Sequence, residues 1–406
     1  MTKRFSYKDI IQSHITATKL RCSNYDTVLA IQDTSYFNYS QHPKTKDLGL
    51  ISRIKEPNRN DVLTVGLVMH TTFAVGTDGV PLGLLDQKIY ARNQNETTSQ
   101  EKESCRWIES ISNTKENLKG IPGRVVTLCD REGDMYELFL KAHQLSASFV
   151  VRAQFNRTVN KFKPYAENPG EKLWQFLSIQ PVAGSFTVDV PIDNDKKKRS
   201  ATCHLRFSCI TMNRPLNFID KSNQAPRTLD LYAIYISEVN CPNECEPIDW
   251  MLITNMNIEN YQDALEKVIW YCLRWRIESW HKILKSGLKV ENCRLSTADR
   301  LMRYLAVMSI VAWRIFWVTL NARTTPDAPA TTFLTNIECN ILAAKFPKVI
   351  QKKQIPTFSQ AVNCIARLGG FLGRKNDGEP GITHMWRGLK KFAAMIEGVE
   401  MFDNCG

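Results

Sequence analysis

Two short apolar runs, TVLAIQDTS at 27–35 and RVVTLCD at 124–130, predict buried strands. Runs that are apolar at nearly every position are typical of central strands covered on both faces. Each run carries an acidic residue near its end, Asp33 in the first and Asp130 in the second. We expect both carboxylates to emerge where their strands end, at one edge of the sheet.

The segments around these runs complete an α/β pattern. Residues 62–92 form two β-rich runs around the turn sequence GTDG, which predicts a hairpin that pairs with the first strand. Residues 99–118 and about 133–145 have helical patterns, and SFVVRA at 148–153 predicts a third strand. This alternation favours an α/β core with a polar site along one edge of the sheet.

The rest of the chain changes character twice. Residues 154–256 alternate short β-like runs with polar turns, which predicts an antiparallel β insertion. Helical patterns return at about 260–286, with Gly287 as the predicted C-cap, and at about 297–321. We therefore predict four parts, namely the first part of the core at 1–153, the insertion at 154–256, a helical completion of the core at 257–324 and a C-terminal helical region at 325–406.

The segment YCLRWRIESWHKILKSG at 271–287 predicts a helix with a polar stripe on a largely apolar body. At about 100° per residue, a stripe roughly 80° wide collects five side chains: Tyr271, Arg274, Glu278, His281 and Lys285. The other faces carry large apolar side chains: Trp270, Trp275, Ile277 and Leu284. We expect this helix to be packed inside a domain, with the stripe facing a groove or a polar ligand. The alternative is a solvated face with ordinary ion pairs.

Composition limits the class of protein. Of 406 residues, 43% are hydrophobic and 23% are charged, so the chain can bury a full core. A formal net charge of +12 attracts polyanions, either nucleic acid or an anionic membrane. The N-terminus lacks a run of signal-peptide length, and Arg314 interrupts the apolar stretch at 305–320. We expect a protein that stays inside the cell without membrane contact, with that stretch as a buried helix.

Two sets of residues are candidates for a metal site. Of twelve cysteines, only Cys241 and Cys245 approach metal-ligand spacing, and no second Cys/His pair accompanies them. We therefore expect reduced, unpaired thiols. Asp33, Asp130 and Glu278 come from two strands and a helix. Three such carboxylates suit a pair of Mg²⁺ ions that activate water for displacement at phosphorus.

The spacing Y-(2)-R-(3)-E-(6)-K, met by Tyr271, Arg274, Glu278 and Lys285, resembles the signature of a transposase family. The family is the DDE transposases of the insertion sequence four group, of the hairpin-forming transposon-five type. Six further segments resemble it in the same order: IQDTS, EKESCRW, LCDREGD, FVVR, DWMLIT and LGGFLGRKNDGEPG. The resemblance covers nearly the whole chain.

The resemblance implies a ribonuclease-H-like (retroviral-integrase-like) catalytic core with a β-rich insertion and a C-terminal helical dimerisation region. It implies that the catalytic triad Asp33, Asp130 and Glu278 holds two Mg²⁺ ions, with Mn²⁺ as an alternative. It implies contacts with double-stranded DNA, at transposon ends and target, from five residues: Tyr271, Arg274, Lys285, Trp250 and Arg152. Trp250 matches the aromatic that holds a base flipped out of the DNA hairpin.

The function implied is that of a homodimeric DNA transposase in the bacterial cytoplasm, associated with the nucleoid when bound to DNA. It would cleave transposon ends and transfer strands into target DNA through a hairpin intermediate. Only 32 residues precede Asp33, too few for the family's usual DNA-end-binding domain, so we expect an N-terminally short chain. Two alternatives stay open: a truncated, non-catalytic inhibitor that dimerises with full-length transposase, and an ordinary metal-dependent nuclease.

Several of these residues also have structural interpretations. Asp130 could cap the following helix, although Asp134 is the better cap candidate and a rival for any acidic role. Trp250 could be a core residue, and His281 is expected as a neighbour of the site rather than a ligand. The basic cluster in the insertion is either a solvated turn or a phosphate contact: Lys196, Lys197, Lys198 and Arg199.

Overall fold

The computed structural model describes residues 5–54, 61–92, 100–160, 170–190, 199–219, 225–243, 245–351, 354–374 and 377–403. The strands have these bounds: β1 Thr27–Asn38, β2 Gly49–Ile54, β3 Val62–Gly76, β4 Pro81–Tyr90, β5 Arg124–Cys129, β6 Ser148–Arg152, β7 Thr158–Val159, β8 Glu171–Lys172, β9 Gly184–Val190, β10 Arg199–Asn213, β11 Thr228–Glu238 and β12 Asp249–Thr254. The helices have these bounds: α1 Tyr7–Cys22, α2 Gln100–Asn117, α3 Tyr136–Gln144, α4 Leu173–Ser178, α5 Tyr261–Cys272, α6 Trp275–Lys282, α7 Ala298–Thr324, α8 Asn336–Lys345, α9 Phe358–Leu368 and α10 Ile382–Asp403.

The described strands form one large mixed sheet in the order β2-β3-β1-β5-β6-β12-β11-β10-β7-β8, with β4 beside β3 and β9 beside β10. β5 pairs parallel with β1, and β6 pairs parallel with β5. β3 is antiparallel to β1, and β4 is antiparallel to β3. From β6 onward, the strands β12, β11 and β10 alternate in direction. The antiparallel strands within 154–256 therefore extend the core sheet instead of forming a sheet of their own.

The predicted hairpin at 62–92 is present as β3 and β4, and β3 pairs with β1 as expected. Its turn contains Gly79, whose φ of +84° is a conformation that a glycine adopts without strain. β1 is longer than predicted, because residues 34–38 continue to pair with residues 66–70 of β3. Asp33 therefore lies inside a strand. On its other side β1 pairs with β5 only as far as Ile31, so no described strand pairs with β1 on that side at the level of Asp33.

The helix predicted at about 260–286 is interrupted. Between α5 and α6, the amides of Leu273 and Arg274 bond carbonyls three residues earlier, each at 3.0 Å, which tightens the chain for one turn. After α6, residues Ile283–Gly287 form a wider π-type turn. The prediction of Gly287 as C-cap was wrong, because Gly287 lies inside this turn. The cap is Leu288, followed by Lys289 in the left-handed conformation.

Helices cover both faces of the sheet. The larger apolar cluster joins one face, through residues such as Ile31 and Leu128, to α1, α5, α6, α7 and the C-terminal helices. The second cluster joins the other face to α2, α3 and α4, through residues such as Trp107 and Phe149. The mixed α/β class predicted from the sequence is therefore correct, and so is the helical character of the C-terminal region.

The long apolar helix is α7. Among the described residues it is the one helix long and apolar enough to cross a membrane, but half of its most apolar window is buried inside the protein. α7 packs against α1, β4 and α9. These contacts agree with the expectation of a buried helix for residues 305–320.

Candidate metal and DNA site

Asp33 and Asp130 lie at matching positions along two adjacent parallel strands. The last pair of the β1–β5 ladder is Ile31 with Leu128, and each aspartate follows its member of that pair by two residues. Side chains alternate along a strand, so both carboxylates are on the face of Ile31 and Leu128. That face is the one covered by α6, which contacts β1. The structure thus brings these two predicted residues together.

Asp130 carries its charge in an unfavourable place. Burial first, and the charge of Asp33 second, raise the pKa of Asp130 from 3.8 to about 6. Its Oδ1 accepts a hydrogen bond from the amide of Glu132 at 2.9 Å, and Asp130 thereby caps the short turn Arg131–Gly133. Asp130 thus caps a short turn, and its metal-binding role stays a prediction.

Glu278 lies on α6, one turn after Arg274. Its Oε1 accepts a hydrogen bond from Nη2 of Arg274 at 2.5 Å. The Arg274 guanidinium also interacts electrostatically with Asp33, and its positive charge partly opposes the rise in the pKa of Asp130. Arg274 is therefore the common positive neighbour of all three predicted acids, and its side chain is only 10% exposed.

A chain of contacts joins the predicted DNA-contact residues to Arg274. The guanidinium of Arg274 lies 5.9 Å from the ring centre of Tyr271, and burial raises the pKa of this phenol. The Arg152 guanidinium lies 5.3 Å from the ring centre of Trp250. The rings of Trp250 and Tyr271 meet edge to face at 5.7 Å. Four predicted residues thus form one continuous group that reaches from β6 and β12 to α6.

Lys285 lies apart from this group. Its ammonium lies 5.4 Å from the ring centre of Phe37, four residues beyond Asp33 in β1. Lys285 belongs to the π-type turn that follows α6. His281 lies beside the acid instead, with Nδ1 at 3.3 Å from Oδ2 of Asp33. This contact agrees with the expectation of His281 as a neighbour of the site.

Side chains on the opposite face of the sheet support the two aspartates from behind. Buried Arg106 of α2 bonds Glu132 at 3.1 Å, in the turn that follows the second aspartate. Trp107 packs edge to face on His70 at 4.7 Å, and His70 bonds Thr34, next to the first aspartate, at 2.9 Å. The motif EKESCRW thus has a structural explanation that its sequence did not supply. The apolar pattern of α2 could reveal only that Trp107 is buried.

The three acids provide the oxygen ligands that Mg²⁺ prefers, and the raised pKa of Asp130 indicates a need for more positive charge. Among the residues that the structure describes, however, no group of three or more His, Cys, Asp or Glu side chains is close enough to hold a metal ion. The Glu278 carboxylate is hydrogen-bonded to Arg274. Asp33 and Asp130 have the oxygen chemistry that a divalent cation prefers, and the participation of Glu278 stays a prediction.

Asp134 has a structural place. Its Oδ2 accepts hydrogen bonds from the amides of Gln154 and Phe155 at 2.7 and 3.1 Å, and its Oδ1 lies 2.6 Å from Nη2 of Arg157. The expectation that Asp134 caps the following helix was wrong, because Met135 occupies the N-cap of α3 without a side-chain bond. Asp134 instead ties the turn after β5 to the chain that leaves β6.

The basic cluster of the insertion is only partly visible. Lys196, Lys197 and Lys198 lie outside the described residues. Arg199 opens β10, and its guanidinium forms an ion pair with Glu238 of β11. The choice between a solvated turn and a phosphate contact stays open for this cluster.

Trp275 is a residue that periodicity placed wrongly. The helical pattern assigned it to the apolar body, but 55% of its surface is exposed, beside the guanidinium of Arg274 at 5.3 Å from its ring centre. The tight turn before α6 rotates it outward. An exposed aromatic ring beside basic groups suits stacking on nucleic-acid bases. The pattern could not reveal this, because it assumed an unbroken helix.

A comparison with family models bears on the C-terminal region. Residues 310–404 match the model described as Transposase Tn5 dimerisation domain. The match takes in the second half of α7 together with α8, α9 and α10. These helices form the region in which the sequence predicts dimerisation. The chain therefore carries a Tn5-type dimerisation domain and resembles a Tn5-like transposase of the insertion sequence four family.

Proposed function

We propose that this protein is a DNA transposase that cleaves transposon ends and joins them to target DNA in the presence of Mg²⁺. The observation that carries the proposal is the convergence of Asp33 and Asp130 on adjacent strands, beneath the helix that holds Arg274 and Glu278. The dimerisation domain at 310–404 supports a homodimer that brings two DNA ends together. The net charge of +12 supports double-stranded DNA as the partner.

The strand arrangement supports a ribonuclease-H-like core. β4, β3 and β1 are neighbours in antiparallel order, and β5 and β6 follow in parallel with β1. Three antiparallel strands followed by two parallel ones, with helices on both faces, are what such a core requires. In this proposal the acids lie on the two central strands, and the third comes from a helix that crosses the same face.

Each site residue has a role in the proposed reaction. Asp33, Asp130 and Glu278 would hold the metal ions, and bound Mg²⁺ supplies an activated water and neutralises charge on the scissile phosphate. Arg274 and Arg152 would bind phosphate oxygens in the forked geometry that guanidinium groups provide.

The remaining contacts orient the DNA. Tyr271 would help to hold the site side chains, because its ring packs against the Arg274 guanidinium and the ring of Trp250. Lys285 would contact the backbone farther along β1, on the side of Phe37. Trp250 would stack on a displaced base, held by Arg152 on one side and Tyr271 on the other.

The proposed reaction is a series of displacements at phosphorus. Water attacks at the transposon end, and the bond to the flanking strand breaks to leave a 3′-hydroxyl. This hydroxyl attacks the opposite strand and forms a hairpin, which a second water reopens. The regenerated 3′-hydroxyl then attacks a phosphodiester of the target DNA inside the bacterial cell.

The test uses a plasmid that carries the gene with its flanking genomic DNA, incubated with purified protein, Mg²⁺ and a second supercoiled plasmid. We expect excised hairpin ends and joined products with the wild type, and neither product with Asp33→Asn or Glu278→Gln. Nicked or linear DNA without joined products would overturn the proposal in favour of a nuclease. A folded protein that yields no Mg²⁺-dependent product would support the alternative of a non-catalytic inhibitor. The match to the dimerisation domain gives that alternative no preference over a transposase.

A further inference from the structure

One hydrogen bond inside the site joins two residues with different proposed partners. Nη2 of Arg274, proposed to bind DNA, lies 2.5 Å from Oε1 of Glu278, proposed to bind metal. A carboxylate that accepts a charge-assisted hydrogen bond has committed lone pairs that a metal ion also needs. The Arg274 guanidinium and a metal ion bound to Glu278 would also repel one another at this distance. As the side chains stand, Arg274 and a metal ion therefore compete for Glu278.

Arg274 is held in a way that favours its transfer to another acceptor. Its Nε is buried and, among the described residues, has no hydrogen-bond partner. A phosphate that accepts from Nη and Nε together would satisfy this donor, which Glu278 leaves unused. The Cα of Arg274 lies in the tight turn before α6, so its side chain can swing without disturbing the hydrogen bonds inside α6.

A second guanidinium marks the direction of that transfer. Arg152 and Arg274 contact the same pair of packed rings: Arg274 lies 5.9 Å from the ring centre of Tyr271, and Arg152 lies 5.3 Å from that of Trp250, which packs against Tyr271. Two like charges held this closely favour a bound anion between them. A DNA phosphate at Tyr271 would therefore attract Arg274 away from the acid.

We propose that Arg274 keeps Glu278 out of the metal site until a DNA phosphate draws its guanidinium away, so that DNA binding raises the affinity for divalent metal. The inference rests on the proposed function, because it uses the proposed partners of both residues. Without DNA the protein would offer a metal ion only Asp33 and Asp130. The complete set of three acids would assemble only on the substrate, which limits metal-activated hydrolysis away from it.

The first test measures Mn²⁺ binding to the full chain by isothermal titration calorimetry without DNA. We expect Arg274→Gln to bind Mn²⁺ about tenfold more tightly than the wild type, a typical size for coupling between sites. Arg276→Gln is the matched control, because it removes the same charge from α6. The Arg276 guanidinium lies toward the turn at Gly79. The control is expected to bind Mn²⁺ like the wild type.

Adding Asp33→Asn to each protein separates this inference from the proposed function. If wild type and Arg274→Gln bind Mn²⁺ equally, and both lose binding with Asp33→Asn, the metal site stands and the inference is overturned. An equal gain in Arg276→Gln also overturns it, since general charge would then explain the effect. If none of these proteins binds Mn²⁺, the proposed metal site fails and the inference fails with it.

The second test needs only the wild type and holds even if Arg274→Gln does not fold. Coupling is reciprocal, so Mn²⁺ must tighten DNA binding by the factor by which DNA tightens Mn²⁺ binding. Fluorescence anisotropy of a labelled duplex measures this, and Glu278→Gln gives the baseline for screening of DNA by the cation. We expect Mn²⁺ to strengthen wild-type binding relative to that baseline. The same response to Mn²⁺ in both proteins would overturn the inference.

Discussion

Asp130 faces Asp33 across two adjacent parallel strands, in an arrangement that is unfavourable for the charge of Asp130. Each residue follows the last β1–β5 pair by two positions, and burial together with the charge of Asp33 raises the pKa of Asp130 to about 6. Arg274 offsets part of this repulsion, but it also binds Glu278. The protein thus tolerates an electrostatically unfavourable carboxylate at this position, as functional sites often do.

The first prediction concerns Asp130→Asn. We expect this change to raise the free energy of unfolding of the metal-free protein by about 1–2 kcal/mol, because it removes one of two repelling charges. Asparagine keeps the oxygen that accepts from the amide of Glu132, so the turn is preserved. Thermal denaturation with and without Mn²⁺ measures both effects. Mn²⁺ should stabilise the wild type and leave the variant unchanged; a destabilised variant that still responds to Mn²⁺ contradicts this prediction.

The second prediction separates stacking from packing at Trp250. Its ring lies beside Arg152 and Tyr271, and it is half-buried. We expect Trp250→Ala to weaken binding of a preformed DNA hairpin about tenfold, since stacking contributes about 1–3 kcal/mol per base. Binding of a flush duplex should change little. Trp250→Phe, which keeps a ring, is the control and should retain most of the hairpin affinity. If all three proteins bind both DNAs alike, Trp250 only packs the core.

The third prediction concerns Asp134, the rival acid. Its side chain is fully buried against Arg157, so Asp134→Ala leaves an unpaired buried charge and should lower the free energy of unfolding by about 3 kcal/mol. The double variant with Arg157→Met should recover part of that loss. Urea denaturation measures stability, and calorimetry measures Mn²⁺ affinity, which we expect to be unchanged. A stable Asp134→Ala protein that no longer binds Mn²⁺ would make Asp134 a ligand.

The fourth prediction is a pH dependence of stability. His14 is buried, its Nε2 accepts from the amide of Leu84 at 3.1 Å, and burial lowers its pKa to about 3. The unfolded chain therefore binds a proton below its ordinary pKa of about 6.5 that the folded protein does not bind. The contribution of neutral His14 to the free energy of unfolding is therefore fully present above about pH 6.5 and is lost progressively as the pH drops toward 3. Between about pH 7 and pH 5, His14 should lower the free energy of unfolding by about 2 kcal/mol, and this decrease should be absent in His14→Gln.

The control for His14 is His143→Gln at the exposed end of α3, which should leave the pH dependence of stability unchanged. Urea denaturation at a series of pH values gives the free energy of unfolding for each protein. An identical slope for the wild type and His14→Gln would show that other groups cause the acid sensitivity.

Local patterns in the sequence predicted the elements that depend on neighbouring residues. The apolar runs at 27–35 and 124–130 became β1 and β5, and the Asp-Gly turn became the hairpin of β3 and β4. The meeting of Asp33 and Asp130 also followed from local information, because both are acids near the ends of buried parallel strands. Their metal and catalytic roles stay predictions.

The errors arose where hydrogen bonds depend on partners far along the chain or on changes of helical pitch. β1 continues past Asp33 because β3 pairs with it there, which the apolar pattern of β1 does not encode. The break between α5 and α6 and the π-type turn change the angle per residue, and Trp275 is exposed where an unbroken helix would place it on the apolar body. Periodicity assumes a constant angle and could predict neither change. The domain boundaries stay predictions.

The most direct test of the account is a crystal structure of the protein with duplex DNA and Mn²⁺, in which the anomalous signal locates the metal. The account predicts Mn²⁺ at about 2–2.3 Å from carboxylate oxygens of Asp33, Asp130 and Glu278, with Arg274 turned to a phosphate. Manganese bound elsewhere, or a site at Asp33 and Asp130 with Glu278 still bonded to Arg274 on bound DNA, would contradict it.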